Sequence, residues 1–265
     1  MILARRFALR AAFVVLAALS GCASVPLAVA PDSARSLAPT GALRVGLYPG
    51  TPTSLIGEPG SPAARGVGFD LGRALAATVR APFMPVVYPR NADVLAAARA
   101  GAVDVVFTNA TAARRQELDF SPTVLEVELG YLVPAASPLQ RVDDIDRPGL
   151  RIGVSEGSTS QGVLSARLRN VQVVTTPSLQ AATEMLASGR LDAFATNKPT
   201  LYEMADRIPG ARVLDGQWGV ESFAIGIPKG RAAALPLLAR FAEEARARGV
   251  VSGAVARAGL RGAVP

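Results

Sequence analysis

The side chains able to do chemistry in this 265-residue chain form a short inventory. Histidine is absent, which removes Ser-His-Asp and Cys-His catalysis and the commonest metal ligand together. The single cysteine, Cys22, allows neither an internal disulfide nor a thiolate metal cluster. Almost all basic residues are arginines, with Lys198 and Lys229 the only lysines. An enzyme would have to run on carboxylates, Lys, Tyr or Ser, and no paired-carboxylate motif stands out. Polar recognition remains. Thr111 is a good N-cap for a helical turn carrying Arg114. Glu156-Gly157-Ser158-Thr159-Ser160 leads from a strand into a helix, so its amides offer an anion site, a simple cap, or both. No cofactor or metal is expected, and no enzyme activity is read from this inventory.

The elements that position these residues follow from periodicity. Short apolar runs alternate with longer helical patterns, which predicts βα units around a mostly parallel sheet. Strands are predicted over 43–47, 85–88, 103–107, 151–154, 171–175, 191–195 and 223–227. Helices are predicted over 69–79, 93–100, from about Gln161, and over 179–187, 199–206 and 235–248, with Gly101 and Gly189 as left-handed stops. Two similar βα sets joined by strands suggest two lobes with a cleft between them.

The formal charge is +7, and Arg5, Arg6 and Arg10 contribute three of those charges within an N-terminal stretch free of acids. Basic residues elsewhere are scattered and not interleaved with aromatics, so nucleic-acid binding is not expected. Met1 to Arg10 is basic, and Ala11 to Leu19 is an apolar run too short to span a bilayer. Leu19-Ser20-Gly21-Cys22 resembles a bacterial lipobox, which implies a lipoprotein signal peptide over 1–21 and acylation of Cys22. Residues 22–41, rich in Pro, Ala and Ser, read as a flexible tether.

Seven motifs then occur in order: LRVG (Leu43 to Gly46), GFDLGRALA (Gly68 to Ala76), AGAVDVV (Ala100 to Val106), TAARRQELDFS (Thr111 to Ser121), LRIGVSEGSTS (Leu150 to Ser160), ASGRLDAF (Ala187 to Phe194) and FAIGIPKG (Phe223 to Gly230). Together they resemble the extracellular solute-binding proteins of family 3, which serve polar amino-acid ABC importers. The resemblance implies an α/β, two-lobed, periplasmic-binding-protein-like type II fold, each lobe a mostly parallel sheet flanked by helices, joined by two hinge strands. Lobe 1 would comprise 42–126 and 222–265, and lobe 2 127–221. It also implies a monomeric, periplasmic, lipid-anchored protein, a small anionic or amino-acid-like solute, and an ABC permease in the inner membrane as partner.

The family pattern assigns site positions to this chain. Arg114 would make a forked contact with a ligand carboxylate, which a planar guanidinium suits. Asn109 falls where the family has a Ser or Thr on the carboxylate, and Phe107 where a backbone group serves. Ser155, Thr159 and Ser160 would complete the site from the second lobe. Departures follow. Tyr48 and Asn197 stand where amino-acid binders place acids for the ligand ammonium, and Asn91 where an aromatic often packs. The expectation is therefore a carboxylate bound without a strong ammonium clamp, unless Glu58, Glu156 or Glu221 supplies the missing charge. Two rivals stay open: a same-fold dehydratase of a cyclic carboxylate with Glu156 or Glu221 as general acid, and a solute sensor without transport.

Overall fold

Runs of branched and apolar residues too short for helices form two parallel cores. In the computed structural model, which describes residues 31–263, strand β1 (Leu43–Leu47) lies between β2 (Phe83–Val87) and β3 (Val105–Asn109), parallel to both. Helices α2 (Val67–Val79) and α3 (Asn91–Arg99) make the crossovers. The second half repeats the plan. Strand β6 (Arg151–Ser155) sits between β7 (Gln172–Thr176) and β8 (Ala193–Asn197), with crossovers α5 (Thr159–Arg167) and α6 (Leu179–Ala187). The inner strands β1, β3, β6 and β8 are largely buried on both faces, whereas the edge strands β2 and β7 are partly exposed. Separate hydrophobic clusters flank the two faces of each sheet.

Two long antiparallel strands join the halves. Strand β5 (Leu125–Val133) and strand β10 (Gly219–Pro228) pair with each other over Leu125–Leu129 and Gly219–Phe223. Beyond that segment β5 pairs with β8, and β10 pairs with β3. The result is one continuous sheet in the order β2-β1-β3-β10-β5-β8-β6-β7, with short β4 (Leu118–Phe120) on β10 and β9 (Arg212–Val213) on β5. Between β3 and β4 lies the short helix α4 (Ala112–Glu117), and α7 (Lys198–Ala205) follows β8. Helices α8 (Leu235–Ala247) and α9 (Val250–Ala258) return to the first lobe, α9 against α2. No helix among the described residues is long and apolar enough to cross a membrane.

The paired motifs LRVG/AGAVD and LRIG/SGRLD have a structural job. The Arg44 backbone N–H and Nε donate to Asp104 Oδ2 at 2.9 and 3.0 Å, while Nη2 reaches Asp104 Oδ1 and the Gly101 carbonyl. Arg151 repeats each of these contacts with Asp192 and Gly189. Each lobe thus locks its central strand to the next parallel strand by a forked ion pair, at the strand ends remote from the cleft. Asp104 is fully buried and also takes a 2.8 Å contact from Arg231. Burial acts to raise its pKa, but the bonds from Arg44 and Arg231 outweigh it and hold the carboxyl below its ordinary value.

Part of the segment expected as a flexible tether over 22–41 is structured. Residues Pro31–Leu37 form helix α1, with Leu37 fully buried and the Ser33 hydroxyl donating to the Ala233 carbonyl at 2.9 Å. Leu37 and Ala38 join the first-lobe core, and that burial overrides the local Pro/Ser composition. The expected signal peptide, Cys22 and the tether up to residue 30 lie outside the described residues.

Candidate functional site

The C-terminal ends of the parallel strands in both lobes open onto one cavity of about 50 Å³. This is where α/β sheets place ligand sites, because helix N-termini and loops converge there. From the first lobe come Tyr48 after β1, Arg90 and Asn91 at the start of α3, Thr108 and Asn109 ending β3, and Arg114 on α4. The second lobe contributes Ser155, Ser158 and Thr159, the turn Thr176 to Leu179, and Asn197 and Thr200 at the start of α7. Glu221 and Phe223 enter from hinge strand β10.

Arg114 is fixed from below. Thr111 caps α4 by accepting the Arg114 N–H at 3.2 Å, which sets the turn. Arg114 Nη1 donates to Thr108 Oγ1 at 2.7 Å and to the Asn109 carbonyl at 3.1 Å. No carboxylate of the described residues lies within 4 Å of it. Burial depresses its pKa, and Glu221 nearby opposes that shift. A guanidinium titrates so high that it stays cationic, so the cleft holds a fixed positive charge.

Glu221 is the counter-charge. It is 7% exposed, in a strand that is otherwise apolar beyond Ser222. Asn197 Nδ2 donates to its Oε2 at 3.2 Å. Burial raises its pKa, opposed by Arg114 and by hydrogen bonding from Asn197, Asn109 and Thr159. Tyr48 is pushed up to about 12, first by burial and then by the charge of Glu221. The Arg114 guanidinium and the Glu221 carboxyl therefore face one cavity with no direct ion pair.

Asn197 acts through its neighbours. Its Oδ1 caps α7, accepting the Thr200 N–H at 3.1 Å and the Thr200 hydroxyl at 2.7 Å. Having donated there, Thr200 Oγ1 accepts from Thr51 Oγ1 across the lobes at 2.7 Å, and Thr51 accepts from Thr53 at 2.9 Å. The chain of hydroxyls thus runs one way and fixes the amide so that Nδ2 points to Glu221. The loop carrying Thr51 and Thr53 is held against α2, whose first amides bond the carbonyls of Pro52, Thr53 and Ser54. Gly66 (φ +153°) makes that approach possible, since a Cβ there would stand 2.2 Å from the Ser54 carbonyl oxygen.

The cleft mouth is closed by charge. Arg90 is gripped by Asp93 at 2.7 and 2.8 Å and reaches across to Glu156 at 2.6 Å. Beside it Gly157 passes so close to Ala92 that a Cβ would meet the Ala92 methyl at 3.0 Å. Asn109 Nδ2 also meets Thr159 Oγ1 across the lobes at 3.4 Å.

Of the residues named from sequence, Tyr48, Asn91, Asn109, Arg114, Ser155, Thr159 and Asn197 line the cavity. Phe107 and Ser160 do not. The Phe107 side chain packs in the first-lobe core, and Ser160 is buried behind the first turn of α5, whose cap is Ser158 accepting from Gln161 at 3.1 Å. Thr108, Thr200 and the Thr51–Thr53 loop were not anticipated. Of the three acids proposed as substitutes, Glu221 enters the cavity, Glu156 is spent on Arg90, and Glu58 does not line the site.

No family model matches the chain. It is 26% identical over 192 residues, covering 69% of each chain, to the ABC transporter glutamine-binding protein GlnH of Bacillus subtilis (strain 168). The solute receptor for L-cysteine of Neisseria gonorrhoeae superposes with a TM-score of 0.75 at 20% identity, over 86% of this chain and 93% of that one. The ancestral amino acid-binding protein AncCDT-1, a precursor of cyclohexadienyl dehydratase, superposes with a TM-score of 0.72 at 22% identity, over 85% and 98%. The structural likenesses establish the type II periplasmic-binding-protein fold. In sequence the chain is similar to a glutamine-binding protein of an ABC transporter, and the seven ordered motifs agree with that similarity.

Proposed function

We propose that this protein captures a small amino-acid-like solute between its lobes and presents the closed form to an inner-membrane ABC permease, from a periplasmic position anchored through Cys22. One observation carries the reading: Arg114 and Glu221 face the same buried cavity without pairing. The guanidinium suits a carboxylate, and the buried carboxylate suits an ammonium. Either charge desolvated alone costs several kcal/mol, which a zwitterion offsets at both ends. This favours the alternative in which an acid outside the expected positions restores an amino-acid site, over a carboxylate bound without an ammonium partner. Contacts made only when the lobes meet, at Thr51–Thr200, Asn109–Thr159 and Arg90–Glu156, would shift the population toward the closed form as solute binds.

The test is calorimetric titration of the purified protein with α-amino acids. One solute bound per chain, with binding abolished by Arg114→Ala, supports the reading; binding unaffected by that change removes it. A dehydratase reading has one observation in its favour, because a buried carboxyl with a raised pKa is what a general acid needs. Turnover of a cyclic carboxylate, lost in Glu221→Gln, would replace binding with catalysis as the function.

A further inference from the structure

We infer that the solute is an α-amino acid whose side chain is uncharged and only a few atoms long, in the range of alanine and serine. This deepens the zwitterion reading above and rests on it. Three features of the cleft converge.

The first is charge. Four charged residues line the cavity: Arg90, Arg114, Glu156 and Glu221. Arg90 pairs with both Glu156 and Asp93 at the mouth. Arg114 and Glu221 are then left, one cation and one anion, which the α-carboxylate and α-ammonium use up. A third charge on the solute side chain would enter a closed cleft with no partner, the costliest kind of burial.

The second is room. The cavity between the lobes is small, about 50 Å³, so a large side chain has little room there. The remaining walls are neutral, from Pro89, Asn91 and Ser178 to the bulkier Leu179, Tyr48 and Phe223.

The third is the mouth. Gly157 already lies against Ala92, and Arg90 bridges to Glu156 beside it. A long side chain cannot run out between the lobes without parting these contacts.

The experiment is isothermal titration of the purified full chain with glycine, L-alanine, L-serine, L-threonine, L-glutamine, L-glutamate and L-arginine, with propionate in parallel. Alanine or serine is expected to bind tightest. Glutamine, glutamate and arginine are expected to be at least about tenfold weaker, the discrimination that a few extra atoms or an unpaired charge produce in a fitted pocket. Glutamine, glutamate or arginine binding as tightly as alanine would overturn the size and charge inference while leaving the zwitterion reading standing. Propionate binding as well as or better than every amino acid, or no binding by any, would overturn the zwitterion reading and this inference with it.

Discussion

Glu221→Gln separates binding from stability. The substitution keeps the shape of the side chain and its place beside Asn197 Nδ2, and removes only the charge. Removing one partner of a desolvated, hydrogen-bonded charge pair costs about 2–5 kcal/mol. At about 1.4 kcal/mol per tenfold, affinity for an α-amino acid should fall by about 30-fold to a few thousandfold. An analogue without the ammonium, such as propionate, should bind the variant at least as well as it binds the parent protein. The ligand-free protein should respond in the opposite sense. Burial already raises the Glu221 pKa, so the ionised carboxylate destabilises the fold at neutral pH, and its loss should leave the melting temperature unchanged or higher. Calorimetry gives the affinities and thermal denaturation at pH 8 gives the stability. Unchanged amino-acid affinity in the variant would refute the assignment of Glu221 as ammonium partner. Equal losses for alanine and propionate would point to a collapsed site instead.

Because the folded pKa of Glu221 lies above the ordinary 4.5, the folded state holds its proton more tightly than the unfolded state. Its contribution to ligand-free stability is therefore present below pH 4.5 and lost as pH rises through the folded value, whereas amino-acid affinity should rise over the same window as the carboxylate ionises; paired denaturation and titration series across pH 4–8 check both signs. Arg114→Lys should weaken carboxylate binding by at least about tenfold while the fold persists, because an ammonium cannot reproduce the planar fork held by Thr108 and Asn109; calorimetry and circular dichroism read the two effects. Glu156→Gln should speed solute release and flatten the salt dependence of affinity, since the Arg90 bridge across the mouth would lose its charge; stopped-flow fluorescence of Trp218, the sole tryptophan and the residue preceding β10, supplies the signal. Asn197→Asp would place a second carboxylate beside Glu221, so stability should fall more steeply as pH rises above 4.5 than in the parent, measurable as a widening gap in melting temperature.

Much of the scaffold was legible because its signals are local. The strands predicted over 43–47 and 151–154 appear as β1 and β6, and the helix predicted over 235–248 as α8. Thr111 caps α4, which fixes the turn carrying Arg114. Helix α1 escaped notice because its formation depends on burying Leu37 against the distant C-terminal helices. The site was legible only in part, for a related reason. Arg114, Asn109 and Asn197 stand in recognisable motifs, but Glu221 becomes a site residue only when hinge strand β10 is laid between the lobes. Its signal was an acid in Val220-Glu221-Ser222-Phe223-Ala224-Ile225, a place where a buried strand does not tolerate a carboxylate without a reason. Asn197 and Glu221 touch, the amide donating to the carboxyl, so the position read as lacking an acid lies one contact from an acid. The Thr51–Thr200 bridge joins positions 149 residues apart and has no sequence signature.

The central claim is that the cleft clamps a zwitterion between Arg114 and Glu221. Its most direct measurement is a matched pair of titrations on the unmodified protein at pH 7.5, L-alanine against propionate, which differ only by the α-ammonium. Alanine should bind, and propionate should bind at least about 30-fold more weakly, the lower limit for losing one side of a buried charge pair. Equal affinity for the two would contradict it and return the site to a carboxylate pocket that ignores the ammonium.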